Sequence, residues 1–131
     1  MSEAASNVPR PIRVLIADDH SLFAEALEAI LAGDERFEVV GSAHDGDEAA
    51  RLAVALHPHV TLMDISMPGM DGIEATRKIR RELPGACILM LTGSNSQEDV
   101  DRSRQAGAAA YVTKEQIASQ LVDAILGVVA G

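Results

Sequence analysis

The sequence predicts an α/β chain: five parallel strands in one doubly wound sheet, with helices covering both faces. Three observations carry that expectation. Five short apolar runs alternate with five stretches of helical periodicity along 131 residues, near the commonest size of a single domain. Two runs, VLIA and ILML, are apolar throughout, as strands without a wet face must be. The helical stretches open at capping spacings or close at glycine or proline.

Each element follows from its residues. IRVLIA (Ile12 to Ala17) is a short run rich in β-branched residues and forms the first strand. SLFAEALEAILAG places Leu22, Phe23, Ala26, Leu27, Ile30 and Leu31 on one helical stripe and stops at Gly33. FEVVGSA (Phe37 to Ala43) alternates like a strand. DGDEAARLAVALHP opens with Asp45 and Glu48 at capping-box spacing and stops at Pro58. HVTLMD (His59 to Asp64) is the third strand. DGIEATRKIRREL repeats the box with Asp71 and Glu74 and ends before Pro84. ACILMLT (Ala86 to Thr92) is the fourth strand. NSQEDVDRSRQAG pairs Asn95 with Glu98 and stops at Gly107. AAYVTK is a short fifth strand, and EQIASQLVDAILGVV closes the chain as a helix with Ile117, Leu121, Ala124, Ile125 and Val128 on its inner face.

Composition narrows the function classes. Hydrophobic residues make up 47% and aromatics 2%, so the core is aliphatic and alanine-rich. No run of about 18 apolar residues occurs, so nothing in the sequence spans a membrane. MSEAASNVPRP (Met1 to Pro11) is polar and proline-broken, without the apolar stretch of a signal peptide, and reads as a disordered leader. One cysteine, Cys87, permits no disulfide framework within the chain and fits a reducing cytoplasm. A net charge of −9 argues against this chain gripping nucleic acid itself, because phosphate contact needs clustered Lys and Arg. The one basic run, RKIRR (Arg77 to Arg81), lies on a helical stretch as a solvated face. The histidines His20, His44, His57 and His59 show no recognised metal spacing, and Cys87 fills the core.

In an open parallel sheet, ligands bind beyond the carboxyl ends of the strands, where the strand order reverses. Strand one ends in Asp18 and Asp19, strand three in Asp64, strand four in Thr92, strand five in Lys114. Three carboxylates, a hydroxyl and an ammonium therefore gather on one edge. Clustered carboxylates repel unless protons or a cation intervene. Hard oxygen ligands on a hydrated rim suit Mg²⁺, and an aspartate oxygen becomes a usable nucleophile toward phosphorus once charge is neutralised. Any one of these residues alone reads as a helix cap, a turn residue or a solvated lysine. Together they read as a site.

LIADDH, LMDISMPGMDG, LTG and YVTK, in that order and spacing, resemble the receiver domain of bacterial two-component response regulators. DDH followed by SLFAEAL, and the ending LVDAILGVVAG, look most like the branch that carries a LuxR-type helix-turn-helix output domain. The resemblance covers residues 12–131 and implies a flavodoxin-like (βα)5 fold. It implies that Asp64 is the phosphoacceptor, that Asp18, Asp19, Asp64 and the backbone carbonyl of Ser66 hold Mg²⁺, and that Thr92, Lys114 and Tyr111 respond to the phosphoryl group. It further implies a sensor histidine kinase as donor, or small donors such as acetyl phosphate. The readout surface would be the fourth helix, fifth strand and fifth helix, with homodimerisation on phosphorylation as one outcome. DNA would be reached only through an output domain this chain does not contain.

Three positions depart from the family pattern. Glu115 follows Lys114 where many receivers have a proline in cis, so a trans bond is expected here. Ser66 stands where relatives often carry Asn, and Gly93 where Ala is usual. Other readings stay on the table. The alternative is a stand-alone receiver acting through protein partners. An aspartate-nucleophile phosphatase of the haloacid-dehalogenase type needs a second acid two residues after the nucleophile, where Ser66 stands. A flavin or nucleotide binder of flavodoxin type needs a Gly-rich loop after the first strand, where DDHS stands.

Overall fold

A computed structural model describes residues 8–93 and 96–130. Its strands are β1 (Ile12–Ala17), β2 (Phe37–Ala43), β3 (Val60–Asp64), β4 (Ile88–Thr92) and β5 (Ala110–Thr113). They alternate with α1 (Ser21–Ala32), α2 (Gly46–Leu56), α3 (Gly72–Glu82), α4 (Gln97–Ala106) and α5 (Ile117–Ala130). All strand pairs are parallel, in the order β2-β1-β3-β4-β5. The chain leaves β1 toward β2 on one side and returns to β3 on the other, so a crevice opens beyond the carboxyl ends of β1 and β3.

Side chains alternate across a strand, and this sorts the core into two layers. Val14, Ile16, Val60, Leu62, Leu89 and Leu91 pack with Leu27 and Leu31 of α1 and Leu121 and Ile125 of α5. Leu15, Ala17, Met63, Ile88 and Met90 face the other way, onto Ala49, Ala50 and Ala53 of α2, Ile73 and Ile79 of α3 and Ala106 of α4. Small alanines on α2 let that helix lie close to the sheet. Each fully buried Leu or Ile contributes about 1.5–3 kcal/mol of hydrophobic stabilisation.

The capping spacings work as anticipated at two helices. The Glu48 amide donates to Asp45 Oδ1 at 2.8 Å, and the Glu74 amide donates to Asp71 Oδ1 at 2.9 Å. At α4 the cap is Ser96, whose Oγ accepts from the Asp99 amide at 3.3 Å; the expected pair put the cap one residue earlier, on Asn95, which lies outside the described residues. The stripe expected on α1 is too wide. Leu22 is 82% exposed and Ala26 is exposed, while Ala24 joins Leu27 and Leu31 in the core. A helix lying on a sheet buries a narrow i, i+3, i+7 seam, and Leu22 falls outside it. The final helix begins later than expected: Lys114–Gln116 form a 3₁₀ turn, and α5 starts at Ile117. At the other end, residues 1–7 of the expected leader lie outside the described residues, while Val8 already packs against the α1–α5 layer. Among the described residues the cis peptide bond is Arg10–Pro11, so Lys114–Glu115 is trans as expected. Among those residues, too, no helix is long and apolar enough to cross a membrane.

Candidate functional site

Strand register builds the site. Ala17 pairs with Met63, so the next residues, Asp18 and Asp64, emerge side by side from the crevice between β1 and β3. On the far side Thr92 pairs with Thr113, which puts Lys114 one step beyond the end of β5. Its flexible stem crosses β4 and brings Nζ to 3.1 Å from Asp18 Oδ2 and 3.4 Å from Asp64 Oδ2. Both aspartates are buried, at 0% and 1% exposure. Asp19 is more open and completes the acidic cluster.

The electrostatics are unbalanced. Three carboxylates share one lysine ammonium, which leaves two negative charges uncompensated when all three are ionised. Asp18 Oδ2 and Asp64 Oδ2 are buried without a hydrogen bond of good geometry, and the Lys114 ammonium lies against both. Asp64 Oδ1 is held by the Ser66 amide at 3.2 Å. Burial, reinforced by the charge of Asp18, pushes the Asp64 carboxyl up to about 6 against the opposing pull of Lys114 and the Ser66 amide. Such a cluster of hard oxygens, two of them buried and wanting positive charge, fits a divalent cation.

Two glycines let the backbone close around Asp64. A Cβ on Gly72 would stand 2.1 Å from the Asp64 carbonyl oxygen, and one on Gly46 would stand 2.1 Å from the carbonyl oxygen of Met70. The start of α3 is thereby pressed against the end of β3, and the start of α2 against the loop between them. Asp64 sits on a rigid strand braced from behind, and a groove of about 640 Å³ between α1 and Lys114 opens onto its carboxylate.

Residues 14–126 match the family described as the response regulator receiver domain. The chain belongs to that family. The receiver domain is 46% identical over 114 residues to the transcriptional regulatory protein LiaR of Bacillus subtilis, covering 87% of this chain and 54% of that protein. It is 42% identical over 120 residues to the response regulator GacA of Pseudomonas aeruginosa, covering 92% of this chain and 56% of that protein. The NarL signal receiver domain from Mycobacterium tuberculosis superposes with a TM-score of 0.89 at 33% identity, covering 94% of this chain and 99% of that one. This chain spans about half the length of the curated relatives it matches.

Within the receiver domain, Asp18, Asp19, Asp64 and Lys114 converge as the sequence suggested. Thr92 ends β4, buried at 2% exposure, one strand away from Asp64. Ser66 contacts Asp64 through its amide rather than its carbonyl and stands exposed at the groove rim. Tyr111 faces outward on β5 at 40% exposure, beside a groove of about 450 Å³ lined also by Val100 and Arg104 of α4.

Sequence reasoning missed two participants. His20 was set aside for want of a metal spacing, yet its Nδ1 lies 3.2 Å from Asp18 Oδ1, 3.3 Å from Asp19 Oδ1 and 3.5 Å from Asp64 Oδ2. It stands at the N-cap of α1 but makes no side-chain cap bond there; the ring is turned to the carboxylates instead. Phe23 carries the Lys114 ammonium 4.5 Å from its ring centroid, a cation–π seat that leaves the N–H groups free to face the acids. Adjacency to Asp19 was the available signal for His20. For Phe23 the only hint was its place in the first turn after that acidic pair. The other histidines have structural work: His59 Nδ1 accepts from the Arg13 amide at 2.8 Å, and His57 ends α2 in the left-handed region.

Proposed function

We propose that this receiver domain is a phosphorylation-controlled switch in which Asp64 accepts a phosphoryl group with Mg²⁺ as cofactor. The observation that carries the reading is the Asp64 Oδ2 atom, buried at the tip of a rigid strand with no hydrogen bond and opening onto a groove. Asp18, Asp19, Asp64 and the Ser66 carbonyl would hold the metal. When bound, Mg²⁺ supplies charge neutralisation for the acids and for the incoming phosphoryl oxygens. The ionised Asp64 oxygen attacks phosphorus, and a P–O bond forms. The bond from phosphorus to the donor, an imidazole nitrogen or a carboxylate oxygen, breaks and its electron pair leaves with the donor. Lys114, already beside Asp64, pairs with the added oxygens, and the Thr92 hydroxyl can donate to them.

The switch follows from differential bonding. The phosphoryl group adds roughly −1.5 to −2 charge and three acceptor oxygens. Lys114 and Thr92 follow it, drawing the ends of β4 and β5 toward Asp64. Moving a two-state equilibrium almost fully takes about 5.5 kcal/mol, within reach of two or three charge-assisted hydrogen bonds. The α4-β5-α5 face is the readout. Helix α4 buries only Val100, Ser103 and Ala106, so little holds it in place, and the groove beside Tyr111 offers that ring a place to turn inward.

A sensor histidine kinase is the expected donor and dimerisation the expected consequence. Kinship with longer transcriptional regulatory proteins, of which this chain matches about half, supports an output that binds DNA through a further domain. A stand-alone receiver acting through protein partners is the alternative. The domain is not expected to turn over a substrate beyond its own aspartyl phosphate, nor to touch a membrane. The single cysteine supports a cytoplasmic location.

The test is intact mass after incubation with acetyl phosphate and Mg²⁺, beside an Asp64→Asn control. A gain of one phosphoryl group in the parent alone supports the reading. Uptake at the normal rate in the variant moves the acceptor elsewhere.

A further inference from the structure

We infer that Phe23 is a positioning residue: the face of its ring holds the Lys114 ammonium in place for a group arriving on Asp64. This deepens the proposed phosphoryl switch and rests on it. The ammonium nitrogen lies 4.5 Å from the ring centroid, with Asp18 Oδ2 at 3.1 Å, Asp64 Oδ2 at 3.4 Å and His20 Nδ1 at 3.4 Å. Lysine carries three N–H donors on a flexible stem of four carbons, and nothing in the side chain itself fixes where they point. Left to the acids alone, the ammonium settles on Asp18, the nearer carboxylate, or swings out to water. The Lys114 side chain is only 19% exposed, so the ring replaces water on one side of the charge. An aromatic face is the one apolar surface that attracts a cation.

The choice of residue supports a role beyond packing. The chain has two phenylalanines, one tyrosine and no tryptophan, and one of those three rings stands against the site lysine. Filling the edge of α1 would be done as well by leucine, as Leu27 and Leu31 do further along the helix. Phe23 is half-buried and packs on the α1–α5 layer, while Ala24, Leu27 and Leu31 pin its helix to the sheet. The ring is therefore a fixed wall, and it also lines the groove that opens onto Asp64. An ammonium set in advance beside that wall needs no reorganisation when phosphoryl oxygens arrive, because its charge is already aimed where theirs develops.

The experiment measures phosphoryl uptake from acetyl phosphate at saturating Mg²⁺ in the parent, in Phe23→Leu, in Phe23→Tyr, and in chains with ring-fluorinated phenylalanines placed at position 23 by stop-codon suppression. Fluorine drains the ring face of negative charge while leaving its shape and burial nearly unchanged. The expected result is uptake about three- to tenfold slower in Phe23→Leu, the scale of one cation–π contact. Phe23→Tyr should stay near the parent, and the rate should fall stepwise as fluorines are added. In a Lys114→Ala background, Phe23→Leu should change uptake by less than about twofold, because the ring acts through the ammonium. A parental rate across the fluorinated series overturns the inference, as does an equal loss from Phe23→Leu with and without Lys114. Proton NMR of the metal-free, unphosphorylated chain adds a readout that needs no phosphoryl chemistry. The Lys114 methylene beside Nζ should be shifted upfield by the ring in the parent and return to the ordinary lysine position in Phe23→Leu; an ordinary position in the parent also overturns the inference. Should that shift be present while the parent takes up no phosphoryl group, Lys114 is seated as inferred and the proposed acceptor chemistry fails instead.

Discussion

Replacing Asp64 with Asn should make the chain more stable at neutral pH, and the size of the gain can be worked from the site. The parent carboxyl is held up to about 6, against an ordinary value of 3.8. A raised carboxyl value means the folded chain grips that proton more tightly than the unfolded chain does. Stability contributed by the protonated form is complete below about pH 4 and is lost as pH rises through about 6. At pH 7 the ionised Asp64 therefore costs up to about 3 kcal/mol, at about 1.4 kcal/mol per tenfold shift in proton affinity. Asn keeps the oxygen that accepts from the Ser66 amide and leaves Lys114 to Asp18 alone. The assay is urea unfolding of both proteins in chelator at pH 4.5 and pH 7, reading the difference between them so that other carboxylates cancel. The variant should gain on the parent between these two pH values and melt several degrees higher at pH 7. Millimolar Mg²⁺ should close the gap by stabilising the parent. A variant no more stable than the parent at pH 7 without metal would refute the claim that Asp64 is held under electrostatic strain.

Three further changes probe the parts that surround it. Lys114→Ala removes the charge that pulls the Asp64 carboxyl down, so a carboxyl titration followed by NMR should place Asp64 above its parental value; the same variant should take up phosphate slowly from acetyl phosphate without changing its assembly state, and an unchanged dimer response would remove Lys114 from the coupling. Gly72→Ala puts a Cβ 2.1 Å from the Asp64 carbonyl oxygen, so it should cost about 1–3 kcal/mol or more in a urea melt and slow phosphoryl uptake, and parental behaviour in both would show the brace is dispensable. Leu27→Ala empties a fully buried position between α1 and the sheet and should cost about 2–5 kcal/mol in a urea melt while sparing metal affinity, because Leu27 packs in the apolar α1–α5 layer and not among the carboxylates.

The parts of this molecule that were legible in sequence are those that depend on period and direction alone. Asp18, Asp64, Thr92 and Lys114 each terminate an apolar run, and parallel strands send all such termini to one edge. That reasoning needs no side-chain detail. Strand order was carried by the resemblance rather than by the alternation, which is equally compatible with other orders. The order matters, because the pairing of Ala17 with Met63 is what makes Asp18 the neighbour of Asp64. What stayed illegible depends on where a side chain turns at the end of an element. His20 and Phe23 sit within the first turn of α1, where a helical wheel assigns a face but cannot see a lysine arriving from β5. Leu22 misled for the same reason: its hydrophobicity fits the stripe, while the sheet beneath α1 has room only for Ala24, Leu27 and Leu31.

The unbalanced charge at the crevice gives the proposed switch its energy source. A fold that wanted only stability would not bury Asp18 and Asp64 side by side around one ammonium, since an apolar pair in the same space is neutral or better. The resting site instead keeps Lys114 divided between two acids and seated on Phe23, with no partner holding it outright. A phosphoryl group on Asp64 ends that division, because added charge on one side draws the ammonium to it. The strand bearing Asp64 is the stiff part: Gly72 has let α3 close against its end, Gly46 has let α2 close against the loop that follows, and β3 is buried along its whole length. The elements that can yield are those with little to lose. The four-residue β5 carries Lys114 at its end, and α4 rests on Val100, Ser103 and Ala106. On this reading, movement goes to β5 and α4 because stiffness is concentrated at β3, and the position of the readout face follows from the packing around the acceptor.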